Sequence, residues 1–408
     1  MSTINLTVLK DKNALLVFAS QLVSTICDKM MSIGLIWYLA QKFSINIIPW
    51  YMAVCFLPHL LMSFHSVHVI KRLGVLNTVI ASEFFRAIVL LSLYSLLGMR
   101  SLDGDKLLTA LFVSGFLVGL GSSLFTPAIL SLPPKLVNEE KVMGLNALID
   151  TSLSISTILG AMFAIFILNF VDFKTLILIN GLSFLWAGFL QLGIKIKPNE
   201  DERKEWDEEK SIGTMEVLRK YPEIANMLGS FLFLNLVFTP LLVMIPWFVQ
   251  NKYLGDASSL AMIEGSMGLG AFLTGLYLSI ASFRVKDEKR MTMIAFVSFL
   301  FGVFLLLFAY SQFSWQGAGI LFAVGAISTF LNIQVLTYFQ SATLAHELPA
   351  VMSAVNIISA ATIPLSFGFS GLLFPHVYMP NFAKLSGCIV IVIALAMPKF
   401  LKGSLWKI

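Results

Sequence analysis

Charge is scarce in this sequence. Only 12% of its 408 residues are Asp, Glu, Lys or Arg and 57% are hydrophobic, whereas a typical soluble domain carries about 25% charged residues. Water would not hold such a chain in solution, which excludes the soluble enzymes and binding domains. Cysteine is equally sparse. Cys27, Cys55 and Cys388 all fall inside apolar stretches, so a disulfide framework is excluded and packing is left as their use. His59, His65 and His68 lie close in sequence, but only His65 and His68 share an i, i+3 face and no acid accompanies them. No metal site is therefore expected. Gly119-Leu120-Gly121 and Gly268-Leu269-Gly270 lack the strand-to-helix junction that phosphate binding requires and read as helix-packing positions. No nucleophile, base and orienting group recur at usable spacing, so neither an enzyme nor a cofactor is expected.

Long apolar runs are what the chain has in quantity. Twelve of them, near 14–41, 46–70, 74–98, 107–133, 142–170, 173–194, 223–249, 258–283, 291–311, 315–343, 350–374 and 378–398, fill it almost end to end. About 20 helical residues cross a hydrocarbon core about 30 Å thick, so each run is long enough to span a bilayer. Backbone groups in lipid must bond internally, and the runs are too long and too uniformly apolar for barrel strands. The expectation is an all-α integral membrane protein of twelve transmembrane helices. The first run extends too far for a signal peptide and reads as a span.

Basic residues set the orientation, because loops rich in Lys and Arg stay on the cytoplasmic side. Lys10, Lys12, Lys71, Arg72, Lys135, Lys141, Arg284, Lys286, Lys289, Arg290, Lys399, Lys402 and Lys407 fall on one side; Lys42, Arg100, Lys106, Lys174, Lys252 and Lys384 fall on the other. Both termini are expected in the cytoplasm, in a bacterial plasma membrane. This bias accounts for the net charge of +5, and no nucleic-acid partner is read into it. Residues 195–221 mix charges densely after a proline, as a solvated tether does. The expected domains are a six-helix bundle over 1–194, the charged linker 195–221 and a second six-helix bundle over 222–408. Val142-Met143 with Asn146 and Val351-Met352 with Asn356 open matching spans in the two halves, as a parallel repeat requires.

Phe56-Leu57-Pro58, Phe125-Thr126-Pro127-Ala128, Pro134-Lys135-Leu136-Val137-Asn138-Glu139-Glu140 and Ile363-Pro364-Leu365 together resemble segments of major facilitator exporters. The likeness is nearest to the macrolide-efflux and siderophore-exporter subgroup of proton-coupled drug antiporters. It implies two pseudo-symmetric six-helix bundles with a substrate site near the membrane midplane. It also implies a cytoplasmic gate between the second and third spans, where the family usually has Gly-x-x-x-Asp-Arg-x-x-Arg-Lys. Here Val67 stands for the Gly and Lys71 for the Asp, and Arg72 remains. Lys71 and Arg72 are the gate candidates, with the acidic half of the latch missing.

Ionisable groups inside spans are expensive and mark function by default. Asp28, Asp150 and Glu264 are the proton-coupling candidates. Asp28 lies about 20 Å along its span, where a carboxyl can alternate between protonated and ionised as its surroundings change; a fixed ion pair with Lys29 or Arg86 is its structural alternative. Asp150 precedes Ser and Thr residues that serve close helix packing. Glu264 stands where the resembling macrolide exporters carry an acid, with snorkelling to the interface as its alternative. Glu83 and Arg86, at i and i+3, read as a structural ion pair. Tyr38, Phe56, Asn235, Asn332, Gln334, Tyr338 and Asn356 supply the apolar walls and polar anchors of a substrate site.

The sequence thus reads as a monomeric secondary transporter embedded in the lipid bilayer. Its partners are protons and an amphipathic small molecule, drug-like or siderophore, moved outward by proton antiport. A lysophospholipid transporter of the same fold, a non-transporting receptor or scaffold, and a metal-ion exporter are the alternatives.

Overall fold

The computed structural model describes residues 10–63, 65–98, 103–137, 139–167, 170–196, 219–280, 287–343 and 348–402. Every regular element among them is helical. The helices are α1 (Lys12–Lys42), α2 (Ile47–Met62), α3 (Ser66–Leu73), α4 (Val75–Leu96), α5 (Gly104–Leu130), α6 (Pro133–Leu136), α7 (Glu139–Ile167) and α8 (Phe173–Gln191). There follow α9 (Pro222–Phe238), α10 (Leu241–Trp247), a π-turn (Phe248–Lys252), α11 (Ala257–Ile280), α12 (Asp287–Tyr310), α13 (Ser314–Ala342), α14 (Leu348–Leu373) and α15 (Met379–Lys402). Among the described residues nine helices are long and apolar enough to cross a membrane, and Ile47–Met62, Ile155–Ala164 and Ile357–Leu373 form shorter apolar ones. Large apolar side chains also point outward, among them Ile88, Phe189 and Val392, each at least 60% exposed. An apolar exterior of this kind suits lipid and not water.

Two of the expected spans are interrupted. The run 46–70 is broken after Met62, and α3 starts afresh at Ser66. Ser63 Oγ donates to the Leu60 carbonyl at 2.7 Å and His65 Nδ1 lies 3.2 Å from the Leu61 carbonyl. These side chains take acceptors that would otherwise carry the backbone ladder onward. Gly74, at φ +83°, then turns the chain into α4. The run 223–249 divides at Pro240, which has no N–H to offer the Leu236 carbonyl four residues earlier. Ser366 Oγ of α14 donates to that carbonyl at 2.8 Å, so the break leaves no orphan there. The charged linker falls mostly within 197–218, outside the described residues.

The chain forms two compact units. Unit 1 holds Met1–Lys197 together with Leu254–Gly265, and unit 2 holds Pro198–Tyr253 and Ser266–Ile408. In unit 1, α1 packs on α7 and α8, α4 on α5 and α8, and α2 on α5. One core of this unit gathers Val17, Phe125, Ile129, Leu132, Leu145 and Ile149. In unit 2, α12 packs on α13 and α15, and α9 on α14 and α15, around Ile224, Met227, Ile294, Phe339, Val351 and Met397.

Helix starts in the loops are fixed by aspartates. Asp172 Oδ1 accepts from Thr175 N at 2.9 Å and from Thr175 Oγ1 at 2.5 Å, and Asp256 caps α11 through Ser259 N at 2.9 Å. The Thr175 hydroxyl, and after it the Thr175 amide, hold the Asp172 carboxyl below its usual range. A folded-state value below the unfolded one means that this stability is present above the ordinary aspartate pKa of about 3.9 and lost as pH falls through the folded value. Asp172→Ala is expected to cost about 1 kcal/mol at neutral pH in thermal unfolding. Asp172→Asn should keep most of the cap and lose less than the wild type on acidification.

Candidate functional site

A cavity of about 290 Å³ opens within unit 1, and Asp28 lines it. Asp28 and Met31 reach it from α1, Tyr51, Phe56 and His59 from α2, and Asn180 from α8. Its wall is mainly apolar, with leucines and a valine beside two aromatic rings and two thioethers, and with a carboxylate, an amide, an imidazole and hydroxyls as its polar points. This is the usual make-up of a site for an organic molecule. Asn180 is 1% exposed, and its Nδ2 donates to Asp28 Oδ1 at 3.2 Å. Ser183, one turn further along α8, donates its hydroxyl to the Asn180 carbonyl at 2.8 Å. The carboxylate is therefore steered by a neutral group, and among the described residues it makes no ion pair.

Both cations considered as partners for Asp28 are engaged elsewhere. Lys29 Nζ lies 2.7 Å from Glu264 Oε2, with Glu264 6% exposed. Glu264 belongs to the Leu254–Gly265 segment of unit 1. Glu264 is thus tied to α1 by an ion pair. Arg86 Nη2 lies 2.8 Å from Glu83 Oε2 within α4, and Glu83 is fully buried. The Arg86 guanidinium also sits between two aromatic faces, 4.4 Å from the Phe125 centroid and 4.2 Å from that of Phe184.

Close packing shapes the cavity. Thr25 Oγ1 and Ser156 Oγ are 2.5 Å apart across α1 and α7, and a Cβ at Gly160 would come within 2.8 Å of Lys29 Cβ. The small residues of α7 thus let α1 approach closely. On α5, a Cβ at Gly119 would collide with the Cys55 carbonyl of α2.

The remaining candidates fall in different places. Phe56 shares the cavity with Asp28. Asn235 and Asn332 line a smaller cavity of about 110 Å³ within unit 2, beside Leu234, Phe238, Phe301 and Met397. Gln334 is buried and Tyr338 packs against the unit 2 core. Tyr38 stacks on Phe173 with centroids 4.1 Å apart, near Lys42 and the Lys42–Asp103 ion pair, and does not line the Asp28 cavity. Arg72 is exposed at the end of α3. The side chains of Lys71, Asp150 and Asn356 lie outside the described residues. Asn180 and Tyr51 escape the sequence reading, and His59 is weighed there only as a metal ligand. An amide amid Leu and Ile in a span needs a bonding partner, and that was the available signal for Asn180.

Comparison with known proteins places this geometry. The family model described as Major Facilitator Superfamily matches residues 17–367. Macrolide efflux protein A of Streptococcus pyogenes is 21% identical over 392 residues, covering 94% of each chain. Among solved structures, a D-xylose-proton symporter is similar with a TM-score of 0.71 at 11% identity, covering 96% of this chain and 97% of that one. The nucleoside transporter NupG gives a TM-score of 0.71 at 12% identity, covering 95% and 99%. At these identities the structural likeness speaks to fold alone. Apolar helices around a cavity with a few polar points, and a family match over most of the sequence, lead to one conclusion: the chain belongs to the Major Facilitator Superfamily, as a multi-pass membrane protein that moves a small molecule by secondary active transport and is not an enzyme.

Proposed function

We propose that the protein is a twelve-helix exporter in the bacterial cell membrane, with both termini cytoplasmic. It moves an amphipathic organic compound outward by alternating access against inward proton flow. One observation carries this reading: the Asp28 carboxylate faces a cavity walled in part by Tyr51, Phe56 and methionines, and is held by the neutral Asn180 with no ion pair among the described residues. Such a group is free to exchange a proton, or to meet a cationic part of the cargo. The likeness to a macrolide efflux protein supports a drug-like cargo over a siderophore. One charge crossing about 100 mV contributes about 2.3 kcal/mol, enough for an about fifty-fold gradient per proton.

Inverted vesicles carrying a luminal pH dye test the reading. Adding a macrolide or a lipophilic amine to energised vesicles is expected to release luminal protons, and the protein-free control should not. A dye signal that never responds to any such compound, while downhill uptake is retained, would remove proton antiport.

A second reading, a cargo with an acyl chain such as a lysophospholipid, draws on the apolar wall of the unit 2 cavity. Proton-independent flipping in liposomes would favour it.

A further inference from the structure

The buried pair on α4 is close but incompletely bonded. Both carboxylate oxygens of Glu83, Nη2 of Arg86 and Oε1 of Gln191 are shut off from solvent, and none has a well-directed hydrogen bond. The Glu83–Arg86 contact is thus one of charge at 2.8 Å and not of aligned donors. The Gln191 side chain reaches Glu83 from α8, and its Nε2 donates to Ser20 Oγ at 3.2 Å. Three of these four atoms are acceptors and one, Nη2 of Arg86, is a donor. An ionised Glu83 leaves acceptors in excess, whereas a carboxylic acid supplies an O–H donor where one is missing.

A buried arginine beside a neutral acid would ordinarily be stranded. Here it is not, because Phe125 and Phe184 hold the guanidinium between their faces. Gly121 makes room for the stem: a Cβ there would come within 2.7 Å of Arg86 Cγ. The cation stays compensated in either charge state of its neighbour.

We propose that Glu83 is a second proton site of unit 1, binding and releasing a proton while Arg86 remains charged between its two rings. The step is simple: one proton joins a carboxylate oxygen and later leaves it. Around Glu83, α4 supplies Arg86 and α1 supplies Asp28 at longer range. From α5 come Phe125 and Gly121, with Asp105 in the first turn at its other end. The helix α8 brings Gln191 and Phe184, and its Lys174 lies 4.7 Å over the Tyr94 ring. The use of Glu83 in transport rests on the proton-antiport reading; its occupancy by a proton does not.

Infrared difference spectra between about pH 5 and about pH 9, on the full chain in nanodiscs, test the site directly. Two protonated-carboxyl carbonyl bands are expected, one lost in Glu83→Gln and the other in Asp28→Asn. Wild-type protein carrying glutamate labelled at its side-chain carboxyl should shift the first band, and should still do so in Glu264→Gln. Loss of a band in Glu83→Gln but none in Asp28→Asn would uphold this site while sinking the role of Asp28 in coupling. Should Glu83→Gln keep both bands, or the labelled wild type shift neither, the proposal is overturned, whatever the folding of the variant.

Discussion

Replacing Arg86 with Met is expected to destabilise unit 1 by about 3–5 kcal/mol, because Glu83 is then left fully buried without its counter-charge. The methionine should fit, since Phe125 and Phe184 offer it the two apolar faces that flank the guanidinium. The loss therefore belongs to the carboxylate and not to a void. Two controls follow. Glu83→Gln combined with Arg86→Met should regain most of the stability, as exchanging a whole buried pair for neutral groups is often neutral or favourable. The deficit of the single variant should also shrink in acid, where a neutral Glu83 no longer needs a partner. Thermal unfolding in nanodiscs across pH reads both; a double variant as unstable as the single one would mean that packing, not charge, is what Arg86 provides.

Asp28→Asn is expected to uncouple transport. The substitution keeps the shape of the side chain and an acceptor for Asn180 Nδ2, 3.2 Å away in the wild type, so folding should be preserved. What it removes is the group able to carry a proton. In proteoliposomes with an imposed pH gradient, the about fifty-fold uphill accumulation allowed by one proton at about 100 mV should fall to no accumulation. Downhill exchange of the same compound should persist. Undiminished uphill transport would show that the coupling proton sits elsewhere. Asp150, whose side chain lies outside the described residues, would then be the next variant to make.

The helices were legible because one requirement dominates in lipid: backbone groups must be paired locally, so a long apolar run is also a helix. The Glu83–Arg86 pair was legible for the same local reason, being set by helical spacing alone. Contacts made across the fold were not. Lys29 and Glu264 lie 235 positions apart, and nothing in either neighbourhood signals the other. Asp28 could be singled out as an acid inside a span, yet its bond to Asn180 and the cavity before it depend on how α1, α2 and α8 come together. Tyr38 shows the converse error. An aromatic on the same helix as Asp28 reads as a cavity wall, but it lies about 15 Å further along the axis and stacks on Phe173 instead. The interruption of the seventh span had a visible mark in Pro240; that Ser366 would cover the freed carbonyl had none.

The contact between Gly119 of α5 and the Cys55 carbonyl of α2 constrains how the chamber in unit 1 changes size. Where one main chain rests on another, no rotamer can reset to absorb sliding, so the two helices are expected to travel as a single plank. Any widening or narrowing must then come from the opposite wall, where α1 meets its neighbours through short hydroxyl side chains such as Thr25 and Ser156. That wall carries Asp28, so its displacement together with α7 would move the acid and resize the hollow in the same stroke.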